Sequence, residues 1–77
     1  MKKLGFVYII SRRKRLIVKT NFIPKLGIEV YDKNKNKVGI VIDVLGPVKQ
    51  PFIAVKPYNK DNIEQYLNQE LFVINHK

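Results

Sequence analysis

Seventy-seven residues suffice for one small domain, in which about 60% of the unfolded surface becomes buried, and exclude two. Cysteine is absent, so neither a disulfide nor a cysteine-ligated zinc can supplement the core, which fits a reducing, intracellular setting. Fifteen Lys and Arg against six Asp and Glu leave a net charge of +9, a density that points to a polyanionic neighbour, met directly or through another protein, ahead of mere solubility.

Met1, Lys2 and Lys3 precede an apolar run in the manner of a secretion signal. That run is too short, lacks a small-residue cleavage site and leads into Arg12-Arg13-Lys14-Arg15. No stretch approaches the roughly 20 apolar residues of a membrane-spanning helix. The expectation is a soluble, cytoplasmic chain without membrane contact.

Residues 4–10 (LGFVYII) are β-branched and aromatic and predict a first strand. The polar residues 11–14 and the resumption at 15–20 (RLIVKT) predict a hairpin with a strongly basic tip. Pro24 and Gly27 make 21–27 an irregular connection in which Phe22 and Ile23 must still pack. Residues 28–31 alternate as a half-buried strand, with Ile28 and Val30 inward, and lead into a polar loop in which Asp32 stabilises the turn and Asn34 and Asn36 suit positive φ.

The longest apolar passage follows, VGIVIDVLGPVKQP at 38–51. Read with a period of two, Val38, Ile40, Ile42 and Val44 form a core face, with Gly39, Val41, Asp43 and Leu45 opposite. Gly46 and Pro47 stop the strand, and Pro51 closes a short stiff loop. Residues 52–55 (FIAV) predict another strand. Ile63, Tyr66 and Leu67 at helical spacing predict one or two turns capped by Asp61 or Asn62, and 71–74 (LFVI) the last strand. Six short strands in so small an all-β chain predict a closed or nearly closed barrel, since closure removes exposed edges.

The run from Val38 is similar to the G-x-V-x-D-V-F-G-P-V motif of the GAR-type (glycine/arginine-rich) subunit of box H/ACA ribonucleoproteins, the RNA-guided pseudouridine synthases. Gly39, Val41, Asp43, Val44, Gly46, Pro47 and Val48 carry the match and Pro51 continues it. Residues 21–24 resemble the family's N-x-x-P, 52–57 its Y-V-A-I-K-P and 66–73 its Y-V-G-E-x-L-Y-V, so the resemblance spans nearly the whole chain. Leu45 stands where an aromatic is usual, and Asn68 where glycine is usual, asparagine being the residue that best replaces glycine at positive φ. Without Arg-Gly-Gly arms the chain resembles the archaeal form. The resemblance implies a six-stranded barrel like that of translation factors. It also implies a non-catalytic subunit that binds the catalytic, dyskerin-type synthase and meets the guide RNA only indirectly. In that family the subunit promotes loading, release and turnover of substrate RNA during rRNA pseudouridine formation.

Three Asp, three Glu and one His form no catalytic or metal-binding spacing, and His76, next to last, is given no role. No enzyme activity, cofactor, metal or small-molecule substrate is expected. For Val41, Leu45, Gly46, Pro47, Val48 and Pro51 the choice lies between core or turn geometry and a partner-binding patch; for 45–51 the patch is the expectation, because aliphatic residues held between prolines are preorganised. Gly39 and Asp43 read as structural, Asp43 accepting backbone N–H groups of the Gly46 turn. Arg12, Arg13, Lys14 and Arg15 are candidates for proximity to RNA. The alternative function is a basic barrel that binds RNA directly, with those four residues on phosphates and Tyr8 or Phe52 stacking on bases. Against it, the aromatics alternate with aliphatics in core-like strands.

Overall fold

Leu16, Val18 and Thr20 are buried while Ile17 and Lys19 between them are only half-buried, the period-two pattern of a strand with one face on a core. This strand, β2 (Leu16–Thr20), pairs with β1 (Lys2–Ile10) on one side and β5 (Phe52–Pro57) on the other. With β3 (Glu29–Tyr31), β4 (Lys37–Leu45) and β6 (Glu70–Val73) they close an antiparallel barrel in the order β1-β2-β5-β4-β3-β6, so no strand keeps an open edge. The computed structural model describes residues 1–47 and 49–74. Val48 and His76 therefore lie outside the described residues.

The core is aliphatic: Leu4 and Val7 from β1, Val30 from β3, Ile53 and Val55 from β5, and Leu71 from β6 all meet inside. Ile63 plugs one end from a 3₁₀ turn, Ile63–Tyr66. The expected helix is no more than this single turn. Asn62 precedes it in the left-handed conformation (φ 55°) and makes no side-chain cap. Asn68, where the sequence suggested positive φ, has φ 65°. In the loop after β3 that conformation falls on Lys35 (φ 69°), neither asparagine, because Asp32 organises the turn: its Oδ1 accepts the backbone N–H groups of Asn34 (2.8 Å) and Asn36 (2.9 Å). Of the two apolar residues in the irregular connection, Phe22 packs on the core but Ile23 is exposed.

The expected core face of β4 is only partly right. Val38 is buried and Val44 packs on the core, but Val41 is also buried, at 1% exposure, while Ile42 is 36% exposed. Two bulges cause this. Val30 faces Gly39 and Tyr31 faces Lys37, which leaves Val38 as an extra residue opposite β3; Val41 faces Val55 and Asp43 faces Ala54, which leaves Ile42 extra opposite β5. Each extra residue exchanges the two faces of the strand. Gly39 sits between the bulges where any Cβ would overlap the Lys56 carbonyl oxygen, so β4 and β5 approach as closely as they do only with glycine there.

The bulge separates two adjacent aliphatic residues by their cost on substitution. Val41→Thr, which buries a hydroxyl without a partner, is expected to destabilise by about 1–3 kcal/mol, and Ile42→Thr to stay within about 0.5 kcal/mol. Urea denaturation of both variants measures the difference, and equal costs would contradict the bulge.

A candidate docking face beside a basic hairpin tip

Ladder partners share a face of a sheet, and on the outside of the barrel they assemble two rows. Phe6 lies beside Lys19, Lys19 beside Phe52 and Phe52 beside Leu45, across β1, β2, β5 and β4. The next row runs Ile9, Ile17, Ala54 and Asp43. Tyr8 packs on Phe52 with ring centroids 5.6 Å apart and planes tilted by 56°, a favourable offset geometry. Ile17, Ile42, Leu45 and Ala54 line a shallow depression that Arg12, Arg13 and Arg15 border. The aromatics expected in core-like positions thus stand outside: Tyr8 is 52% and Phe6 38% exposed.

The loop after β4 supplies one end of this face. Leu45 is 39% exposed, and Gly46 and Pro47 are exposed. Gly46 takes φ 80°, which directs the chain away from β4, and the N–H of Gln50 then donates to the Pro47 carbonyl at 3.2 Å. Pro51, a candidate partner-binding residue, is instead buried, and its carbonyl accepts the Thr20 N–H at 3.3 Å. Val41, another, belongs to the core through the bulge. Only Leu45, Gly46 and Pro47 of that set are available to a partner among the described residues. Asp43 is exposed, and its Oδ1 accepts the N–H of the adjacent Val44 at 2.8 Å; no bond to the Gly46 turn forms among the described residues. Its carboxylate is thereby fixed at the margin of the depression facing the arginines.

The basic tip is held by its own backbone. The Lys14 N–H donates to the Ser11 carbonyl (3.0 Å), the Ser11 N–H to the Arg15 carbonyl (2.9 Å) and the Arg15 N–H to Ser11 Oγ (3.1 Å), with Lys14 at φ 64°. Arg12, Arg13 and Lys14 are exposed, and the Arg15 guanidinium reaches the Arg13 carbonyl at 3.4 Å. Ion pairs among the described residues occur elsewhere, Lys3 with Glu70 at 2.6 Å and Lys37 with Glu29 at 3.6 Å. Desolvation, the hydrogen bond from its hydroxyl to Glu29 (3.1 Å) and the charge of that carboxylate raise the Tyr58 phenol above its ordinary value. Tyr58 stands on another part of the barrel, beside Ile40, Lys56 and Pro57. No cluster of three metal-ligating side chains occurs among the described residues, and none of their helices is long and apolar enough to cross a membrane.

Residues 1–76, all but one of the chain, match the model of the Gar1/Naf1 RNA binding region. The chain belongs to the Gar1/Naf1 family. This is a non-catalytic ribonucleoprotein family, and membership agrees with the all-β barrel and with the signature centred on Gly39 and Pro47. Archaeal relatives include an uncharacterised protein of Methanothermobacter thermautotrophicus, 32% identical over 69 residues that cover 90% of this chain and 75% of the relative. Another, from Methanocaldococcus jannaschii, is 44% identical over 54 residues, 70% of this chain and 57% of its own length.

Sequence reasoning named Leu45 and the arginines separately and overlooked Ile17, Ile42 and Ala54. Ile17 and Ala54 sit in uninterrupted apolar runs, where periodicity gives no sign of which residue faces outward. The division of the Gar1/Naf1 motif between surface and core has a direct check. Leu45→Asp is expected to change the unfolding free energy by less than about 0.5 kcal/mol, whereas Pro51→Asp, which buries a charge, costs more than about 2 kcal/mol; chemical denaturation monitored by circular dichroism distinguishes them.

Proposed function

We propose that this chain is a non-catalytic subunit of an RNA-guided pseudouridylation particle and that it docks on the catalytic pseudouridine synthase through the face built by Ile17, Ile42, Leu45, Phe52 and Ala54. The observation that carries the reading is that face: exposed Ile42 and Leu45 beside half-buried Ile17 and Phe52, with Ala54 as the covered floor, form an apolar depression at the family's motif, on strands too well packed to be an unfolding defect. Its backbone is fixed by the barrel, so docking orders little more than side chains. The arginines at its border favour a partner surface with acidic residues around an apolar centre and accelerate encounter more than they strengthen the final complex. By holding the synthase at this face the subunit promotes loading and release of substrate RNA without contributing a reacting group.

Burying one leucine side chain contributes about 1.5–3 kcal/mol. Calorimetric titration of this chain into the synthase without RNA is therefore expected to give one-to-one binding that persists at moderately high salt, weakened at least about tenfold by Leu45→Asp. Absence of binding, or binding that salt abolishes, would overturn the reading.

A further inference from the structure

The hairpin tip has a second side. Adjoining the docking face, with Ser11 and Arg12 common to both, a second depression is lined by Tyr8, Ile9, Arg12 and Lys14 with Glu64 and Leu67 of the segment around the 3₁₀ turn. Arg12 and Lys14 are exposed, and neither makes an ion pair among the described residues. Their two positive charges outweigh the single charge of Glu64. Tyr8 forms the wall toward the docking face, and Phe52 behind it holds the ring in place. An exposed aromatic ring flanked by cations on a rigid turn is the arrangement that takes a base by stacking and its phosphates by charge.

We propose that this depression binds an unpaired nucleotide of RNA, the base on Tyr8 and the flanking phosphates on Arg12 and Lys14. The proposal rests on the ribonucleoprotein reading above, and it assigns the RNA to Tyr8 and Lys14, which do not line the docking depression, with Arg12 at the boundary of the two. A paired base cannot reach Tyr8 because its faces are covered by neighbours in the stack, so the site selects single strands over duplex. Glu64 opposes phosphate and limits affinity, which ties the site to RNA already held nearby by the particle.

Fluorescence anisotropy with a labelled single-stranded RNA of about 12 nucleotides, and with a duplex of the same length, tests this. The single strand is expected to bind more tightly. Tyr8→Ala and Tyr8→Leu should each weaken it about fivefold or more with no change in salt dependence. The double variant Arg12→Gln/Lys14→Gln should lower the slope of log affinity against log salt by about 1.4, two phosphate contacts' worth, and Glu64→Gln should tighten binding. Tyr8→Leu, Lys14→Gln and Glu64→Gln, which lie outside the docking depression, should keep normal calorimetric affinity for the synthase and normal thermal unfolding. Equal binding of duplex and single strand, or indifference to both Tyr8 variants, would overturn the proposal in favour of diffuse charge attraction. Loss of synthase affinity in the Tyr8 variants would overturn it by assigning the depression to the protein interface. Leu45→Asp, which tests docking, is expected to leave RNA binding unchanged, so failure of either idea is seen separately.

Discussion

The register shift between Val41 and Asp43 governs this barrel and its surface together. With Ile42 displaced as an extra residue opposite β5, Val41 turns inward against Val55 and Val44 packs on the core, while Ile42, Asp43 and Leu45 turn outward. A bulge also raises local twist, which a six-stranded sheet needs in order to close. Closure and the apolar outer face therefore share one cause. Without the shift, the β4 residues on one side of it would exchange their inward and outward positions. Gly39 permits the arrangement from the other end of β4, where the Lys56 carbonyl leaves no room for a side chain.

Charge is distributed so as to complement that surface. The chain carries +9, yet four of its six acidic side chains serve local purposes: Asp32 and Asp43 hold backbone N–H groups, and Glu29 and Glu70 pair with lysines. Arg12 and Arg13 of the first hairpin form no ion pair among the described residues and stand at the boundary between an apolar face and a cationic depression. One rigid turn consequently faces two kinds of surface, with the Tyr8 and Phe52 rings between them. If both proposals hold, a protein partner and an RNA strand occupy neighbouring sides of one turn, with Arg12 between them.

Strand positions and barrel closure were legible in the sequence because β-branched runs alternate with Gly, Pro, Asn and charged turns at short intervals. Family membership was legible as well, since the motif residues are turn and close-approach positions that few other side chains can occupy. Facing was not. A bulge adds a residue without a compositional mark, so the parity assigned to Ile40 and Ile42 failed, and Val41 seemed available when it is core. Pro51 looked like part of an exposed loop because prolines usually are, but it is buried, and its carbonyl accepts the Thr20 N–H at the end of β2. Phe6 and Tyr8 looked like core because an aromatic in an apolar strand usually is. The meeting of the arginine tip with Leu45, 30 or more residues away along the chain, follows only from the pairing of β2 with β5 and of β5 with β4.

The central claim is that the outer face of β2, β5 and β4 is where the synthase sits. Amide and methyl chemical-shift mapping of the labelled chain, free and bound to the unlabelled synthase without RNA, tests it most directly. The account predicts perturbations concentrated at Ile17, Ile42, Leu45, Phe52 and Ala54, fading toward Ile40, Tyr58 and Asn34. A footprint centred on Ile40, Lys56 and Tyr58, with the Leu45 face unchanged, would contradict it.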